Sequence, residues 1–87
     1  MLQELIGQKV VVDMRSTYVC LGTLENADEH FLQLRSADLH DFRDTQTSRE
    51  AYVAESNATG IKRNRKRVLV SRADMVAISR LEDVVDD

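Results

Sequence analysis

A run of cations is the clearest chemical feature of this sequence. Five of the six residues at positions 62–67 are lysine or arginine, and such side chains can neutralise phosphates with an affinity that falls as salt rises. The run could instead be a solvated strand extension whose charges prevent unwanted edge pairing or meet a nearby acidic segment. The sequence leaves both interpretations open. The candidate phosphate-binding residues are Lys62, Arg63, Arg65, Lys66 and Arg67, and the acidic segment contains Asp38, Asp41 and Asp44.

Two other side chains have shapes that suit nucleic-acid bases. The imidazole of His30 has a flat face for stacking, and the guanidinium of Arg72 can stack or offer a planar fork to a phosphate. Each also has an ordinary structural role, His30 as a polar turn residue and Arg72 as an arginine that bonds neighbouring carbonyls beside Asp74. Asp28 could likewise cap its own turn. For all four residues, recognition of single-stranded RNA and turn structure are therefore both open.

No pattern of residues suits metal binding or bond chemistry. His30, His40 and Cys20 lack a recognised ligand spacing, and a single cysteine supplies one thiolate and no internal disulfide. The sequence also lacks a nucleophile elbow, a phosphate loop and a paired motif for acid and base chemistry. We therefore expect no metal, no cofactor and no enzymatic activity.

The composition indicates a small domain that would gain stability from association with other copies. The 87 residues allow one domain, and 43% hydrophobic residues with few aromatics give a modest core. A net charge of -3 argues against a chain that simply coats nucleic acid, so the local distribution of charge matters more than the sum. The sequence has no signal peptide and no long apolar stretch, which predicts a cytoplasmic protein without a membrane segment.

These side chains must be positioned by a mainly β structure. Leu2, Leu5 and Ile6 recur at helical spacing and Gly7 can end a helix, so we predict a short N-terminal α-helix. Gly22 lacks a Cβ and allows a sharp bend or a close backbone approach in a strand. The alternation of apolar and polar residues predicts three strands, at residues 10–14, 18–26 and 31–36, and two further apolar segments, 68–71 and 76–81, are candidates for a fourth and a fifth strand.

The segment between the third and fourth strands is the least regular part of the chain. Residues 47–50 have the form of a capping box. In such a box the side chain of Thr47 would accept a hydrogen bond from the backbone amide of Glu50, and the side chain of Glu50 would reach back toward Thr47. A short helix is therefore predicted over 51–54, and it is expected to end within 57–60.

Two motifs in this order resemble those of the Sm and Sm-like family. The family's first motif is Gly-x-Leu followed by Asp-x-His ahead of a hydrophobic strand, and its second is a tight turn between two hydrophobic strands. Each motif alone is short, so the order and spacing of the two carry the resemblance. The matching residues are Gly22, Leu24, Asp28 and His30 in the first motif and Arg72 and Asp74 in the second, and the matches cover residues 1–36 and 68–82.

The resemblance implies a fold. The implied fold is a short N-terminal α-helix followed by a strongly bent five-stranded antiparallel sheet, the Sm-like small barrel. A single domain would span residues 1–87, with an insertion at 37–67 between the third and fourth strands and an acidic tail at 82–87.

The resemblance also implies an assembly and a partner. In the family, copies form a homo-oligomeric ring in which the fourth strand of one subunit pairs with the fifth strand of the next. The implied partner is single-stranded RNA, which would be held by stacking and phosphate contacts near Asp28, His30 and Arg72, with Asp74 as an orienting residue. Such binding would serve RNA processing, stability or annealing.

The sequence departs from the family pattern at two places. Phe31 leads directly into Leu32 and Gln33, so an asparagine that contacts a base edge in family members is missing. Ala73 stands where the family has glycine. These departures favour an alternative function, a ring-forming scaffold that has lost specific RNA binding.

Overall fold

Five segments rich in valine and leucine form one antiparallel sheet. The computed structural model describes residues 1–44 and 47–85, and its strands are β1 (Lys9–Met14), β2 (Tyr18–Ala27), β3 (Phe31–Asp41), β4 (Arg65–Ser71) and β5 (Met75–Arg80). Their order across the sheet is β4-β3-β2-β1-β5, so β4 and β5 are its two edges. The predicted sheet of five antiparallel strands is therefore confirmed, with the fourth and fifth strands at the edges.

The sheet does not close into a barrel, although the resemblance implied a small barrel. β4 forms a ladder with β3 and β5 forms a ladder with β1, while the 3₁₀ turn Arg72–Asp74 joins the two edge strands. Each edge strand thus has one partner strand in the described part of this chain. An edge strand exposes backbone N–H and C=O groups on its unpaired side, and those groups can pair with another chain.

Buried side chains lie on both faces of the sheet. Because side chains alternate along β1, Val11 points to the face opposite Val10 and Val12. We call the two groups the inner cluster and the outer cluster. The inner cluster contains Val10, Val12, Cys20, Leu24, Leu32, Leu34, Ala37 and Val70. The outer cluster contains Val11, Val19, Leu21, Val53 and Leu81.

Gly22 marks a close approach between β2 and β3. A Cβ at this position would lie 3.1 Å from the Cα and Cβ of Ala37 and from the carbonyl oxygen of Arg35. The register between the strands shifts here, and Ser36 on β3 has a positive φ of 49°. The close backbone approach expected from this glycine is confirmed.

One α-helix, α1 (Arg49–Thr59), lies between β3 and β4. Its N-cap is Ser48, whose hydroxyl accepts from the backbone amide of Ala51 at 3.1 Å. A helix in this segment was expected, but the prediction of Thr47 as its cap is wrong, because the Ser48 hydroxyl reaches the third amide of the helix. Val53 enters the outer cluster, so α1 covers part of the outer face.

The segment predicted as an insertion is partly built into the sheet. β3 continues to Asp41 and β4 begins at Arg65, so both ends of the 37–67 segment are strand. A 3₁₀ turn, Phe42–Asp44, follows β3. Among the helices of the described ranges, none combines the length and the apolar character needed to cross a membrane.

The N-terminal α-helix predicted from the sequence is wrong. Residues Leu2–Leu5 form a four-residue 3₁₀ helix, and its two leucines pack against the inner cluster. Gly7, at a φ of 85°, donates its N–H to the carbonyl of Leu24 at 2.7 Å, and the carbonyl of Gln8 accepts from the Leu24 amide at 3.0 Å. Because these bonds draw the chain into the sheet, too few residues remain for an α-helix.

The C-terminal end begins with a further 3₁₀ turn, Leu81–Asp83. The side chain of Leu81 is buried in the outer cluster, and Glu82 and Asp83 are exposed. Asp86 and Asp87, which complete the predicted acidic tail, lie outside the described residues.

Candidate nucleic-acid interface

Asp28 organises the turn between β2 and β3. Its Oδ1 accepts from the backbone amides of His30 and Phe31, each at 2.8 Å, and its own amide donates to the Phe31 carbonyl at 3.0 Å. These hydrogen bonds, that from His30 first, hold the pKa of the Asp28 carboxyl below its ordinary value. Asp28 therefore caps its own turn and leaves the His30 side chain exposed to solvent.

Arg72 joins a second turn to the first. The 3₁₀ turn Arg72–Asp74 follows β4, and the backbone amide of Arg72 donates to the His30 carbonyl at 2.9 Å. The Arg72 Nη1 donates to the Asp28 carbonyl at 2.5 Å. Arg72 thus lies beside Asp28 and His30, which are distant from it in sequence, at one end of the sheet.

Asp74 has a different partner from the one expected. Its Oδ2 accepts from the Ser16 hydroxyl at 3.2 Å, and its carbonyl accepts from the Arg15 amide at 2.7 Å. The turn after β4 is therefore held on one side by the β2–β3 turn and on the other by the β1–β2 turn. Asp74 fixes the backbone of this turn, and its orienting action on Arg72 stays a prediction.

The two turns border an open groove, which we call the turn groove. It has a volume of about 570 Å³ and is lined by Glu29, His30, Phe31, Ser71, Arg72 and Ala73. The phenyl ring of Phe31 is 44% exposed. A planar base can stack on an imidazole or a phenyl face, and the guanidinium N–H groups that do not bond Asp28 can donate to a phosphate.

The basic run lies at the other end of β4. Ser71 pairs with Phe31 and Arg65 pairs with Ala37, so the strand separates Arg65 from the turn groove by about 20 Å at about 3.4 Å per residue. Asn64 fixes the start of β4, because its side chain exchanges two hydrogen bonds with the Leu39 backbone, each at 3.0 Å. The structure therefore separates the predicted site residues into two groups. The second group consists of Lys62, Arg63, Arg65, Lys66 and Arg67, all of them exposed.

Glu25 on β2 is the acidic residue that the basic run meets. The Nε of Arg67 donates to Glu25 Oε1 at 3.0 Å, and a guanidinium nitrogen of Arg35 lies 3.8 Å from Glu25 Oε2. Gln33 also donates to Glu25 Oε1 at 2.5 Å. The bond from Arg67, followed by that from Gln33, lowers the pKa of the Glu25 carboxyl. Sequence reasoning missed Glu25 because only the register of β2, β3 and β4 places it beside Arg67.

The acidic segment expected near the basic run is engaged elsewhere. The Tyr52 hydroxyl donates to the buried carboxylate of Asp38. Asp41 accepts from the Arg43 guanidinium and from the Thr17 hydroxyl, each at 2.7 Å. The bonds from Arg43, which are the main cause, hold the pKa of Asp41 well below its ordinary value. The side chain of Asp44 lies outside the described residues.

A polar cleft under α1 also escaped the sequence analysis. It has a volume of about 300 Å³ and includes Asp38, His40, Tyr52 and Lys62 in its lining. The rings of His40 and Tyr52 stack with 4.4 Å between their centroids. Burial, and then the bond to Asp38, raises the pKa of Tyr52 above its ordinary value, so the phenol stays protonated. The contact between α1 and β3 that forms this cleft has no local sequence signal.

Residues that could hold a metal are not gathered in the described part of the chain. No group of three or more histidine, cysteine, aspartate or glutamate side chains there is placed to bind a metal ion. Cys20 is buried, and burial is the main cause that raises its pKa to about 12. Its thiol therefore stays protonated and is a poor nucleophile in the folded state.

The chain was compared with models of protein families and with curated proteins. No family model matches it. No curated protein matches it either. The geometry of the turn groove and of the basic run is therefore the basis on which a function can be argued.

Proposed function

We propose that this chain is an Sm-like subunit that binds single-stranded RNA at the turn groove, in the cytoplasm and without bond chemistry. The observation that carries the proposal is the pair of hydrogen bonds from Arg72 to the turn of Asp28 and His30. They bring together the turns of the two motifs by which the sequence resembles the Sm-like family, and His30 and Arg72 both line the turn groove. The order of the strands, with β4 and β5 at the edges, also supports the proposal.

The turn groove offers the two contacts that unpaired RNA needs. A base that stacks on the exposed imidazole of His30 or ring of Phe31 would gain about 1–3 kcal/mol. The adjoining phosphate would accept charge-assisted hydrogen bonds from the guanidinium of Arg72, whose planar fork matches phosphate geometry. Stacking is tolerant of base identity, so the missing asparagine weakens selectivity among bases more than it weakens binding.

The two edge strands support assembly into a ring. β4 and β5 each have one unpaired edge in the described part of the chain. Pairing of β4 with β5 of the next copy would satisfy the backbone groups of both edges. Each subunit would then add one turn groove, and repeated weak sites on one RNA strand bind with high avidity. RNA processing, stability or annealing are the uses that fit such a ring.

A scaffold ring without RNA binding is the second candidate. The observation that favours it is the bond from Arg72 Nη1 to the Asp28 carbonyl at 2.5 Å, because an arginine fixed by its own chain can be purely structural. Ala73 and the missing asparagine are the sequence departures that agree with it. In this case the edges would still pair and the turn groove would stay empty.

Fluorescence anisotropy of labelled oligo-U, oligo-A and matched DNA at several salt concentrations tests the proposal, with the mass in solution measured alongside. We expect salt-sensitive binding of RNA by an oligomer. Arg72→Ala should weaken RNA binding about tenfold or more, because hydrogen bonds to charged groups contribute about 1.5–3 kcal/mol. The variant keeps the backbone amide that bonds the His30 carbonyl, so the turn should persist.

Lys9→Ala is the matched control, because it removes one exposed positive charge outside the turn groove. It should leave RNA affinity close to that of the wild type. An oligomer that binds none of the three oligonucleotides would favour the scaffold. Equal losses in Arg72→Ala and Lys9→Ala would overturn the role of Arg72, and a monomer would overturn the ring.

A further inference from the structure

An uncovered strip of side chains runs along the outer side of β3 and β4. On β3, alternate residues point away from Leu32 and Leu34, which are buried in the inner cluster. On β4, alternate residues likewise point away from Val68 and Val70, which pack in or against that cluster. We call these outward-facing residues the outer strip. They are Phe31, Gln33 and Arg35 on β3 and Arg67 and Leu69 on β4.

The register of the two strands orders the outer strip. Gln33 pairs with Leu69, and Arg35 pairs with Arg67, so these pairs are neighbours on one face. Successive pairs on the same face are about 6.8 Å apart along the strands, which is close to the length of one extended nucleotide. The strip begins at Phe31 in the turn groove and ends at Arg67 in the basic run. It therefore connects the two groups of predicted site residues.

The end of the strip near the turn groove is apolar. Phe31 is 44% exposed and Leu69 is 60% exposed, and both border a small depression together with Gln33. Exposed aromatic and aliphatic side chains on a strand offer flat surface to a base, whatever the base is. This end of the strip thus extends the stacking surface that His30 starts.

The other end of the strip is cationic. The side chains of Arg35 and Arg67 are 49% and 66% exposed, and both approach the carboxylate of Glu25. Glu25 ties the two guanidinium groups to the sheet, while their remaining N–H groups stay accessible to solvent. Two arginines face one glutamate, so this end of the strip keeps a positive charge.

We propose that the outer strip is a second RNA-binding surface, which guides a single strand from the turn groove to the basic run. The apolar end would take bases and the arginine end would take phosphates, and the distance of about 14 Å would span about two nucleotides. This inference rests on the proposed function, because it needs RNA in the turn groove. It adds Phe31, Leu69, Gln33 and Arg35 to the residues that contact RNA and gives Glu25 a positioning role.

The test compares the dinucleotide UpU with a uridylate dodecamer, because the single phosphate of UpU can meet Arg72 in the turn groove but cannot also reach the arginine end. The double variant Arg35→Ala/Arg67→Ala should leave UpU affinity unchanged. For the dodecamer it should lower affinity and reduce the slope of log K against log salt by about 1.4 per bound subunit, because each phosphate that an arginine neutralises adds about 0.7 to the slope. Lys9→Ala should leave the salt slope for the dodecamer unchanged.

Glu25→Gln is a variant that should tighten binding, so a loss of folding cannot produce the expected result. It removes the negative charge but keeps an acceptor for Arg67, so dodecamer binding should tighten several-fold with UpU binding unchanged. Circular dichroism and the mass in solution should match the wild type for both variants.

The outcomes separate the two proposals. A wild-type protein that binds neither oligonucleotide would overturn the proposed function and the outer strip together. If Arg72→Ala weakens RNA binding but Arg35→Ala/Arg67→Ala leaves the salt slope for the dodecamer unchanged, the outer strip alone is overturned. Equal losses for UpU and the dodecamer in the double variant would also overturn it, because the arginines would then act in the turn groove.

Discussion

The substitution Gly22→Ala tests how tightly β2 packs against β3. The new methyl group would lie 3.1 Å from three heavy atoms, two of which belong to Ala37 and one of which is the carbonyl oxygen of Arg35. Two of these atoms are backbone, which cannot rotate away as the end of a flexible side chain can. The strands must therefore move apart by a few tenths of an ångström. Overpacking of this kind costs about 1–3 kcal/mol of folding free energy.

Thermal unfolding followed by circular dichroism measures this cost. In a domain of this size about 1 kcal/mol corresponds to about 4–8 °C, so Gly22→Ala should lower Tm by roughly 4 to 24 °C. All variants need the same protein concentration, because association shifts Tm.

Thr23→Ala, which adds no atom at the contact, should lower Tm less. Ala37→Gly should recover part of the loss in the Gly22→Ala background, since it removes the Ala37 methyl group from the crowded site. A Tm that Gly22→Ala leaves unchanged would refute the reasoning.

Two further predictions concern protonation. Because the His30 and Phe31 amides lower the folded pKa of Asp28, its stabilisation is present above the unfolded pKa and is lost as the pH falls through the folded pKa. Asp28→Asn should therefore flatten the acid side of the stability curve measured by denaturant unfolding, and an NMR titration of Asp28 at its ordinary pKa would contradict this. Burial raises the pKa of Cys20 to about 12, so a thiol reagent should modify it slowly in the folded protein and rapidly in denaturant, and equal rates would contradict this.

The first three strands could be predicted from the sequence because alternation is a local signal. The five predicted segments correspond to β1–β5; the observed β1–β4 are longer than predicted by one to five residues, and β5 begins and ends one residue earlier. The longest extension is at β3, which continues from Ser36 to Asp41 through a residue with positive φ. A kink of this kind interrupts the alternation of side chains. The sequence pattern therefore suggested that the strand ended five residues early.

The N-terminal helix shows why a local signal can fail. The spacing of Leu2 and Leu5 fits a helix, but the backbone of Gly7 and Gln8 pairs with Leu24, which is distant in sequence. The leucines still pack against the inner cluster, so the apolar pattern was informative about burial and misleading about the element. Tertiary hydrogen bonds decided the conformation where helix propensity alone was marginal.

The candidate site shows the same limit. The sequence indicated that Asp28, His30 and Arg72 lie in turns, and the structure places these turns in contact. The sequence could not indicate that Arg72 bonds the Asp28 carbonyl, or that Asp74 bonds Ser16, because both contacts depend on how the strands are ordered. Side-chain partners across a sheet follow from register, and register is not a local property.

Helix α1 determines which part of the outer face remains available. It places Val53 in the outer cluster and so covers the side chains of β1 and of the first half of β2. Farther along the same face, Phe31 and Leu69 are exposed on β3 and β4. Burying them under a longer helix would stabilise the fold by about 25 cal/mol for each square ångström of apolar surface. Their exposure beside Arg35 and Arg67 instead gives this half of the face a mixed apolar and cationic surface, which is the chemistry that a single strand of RNA requires.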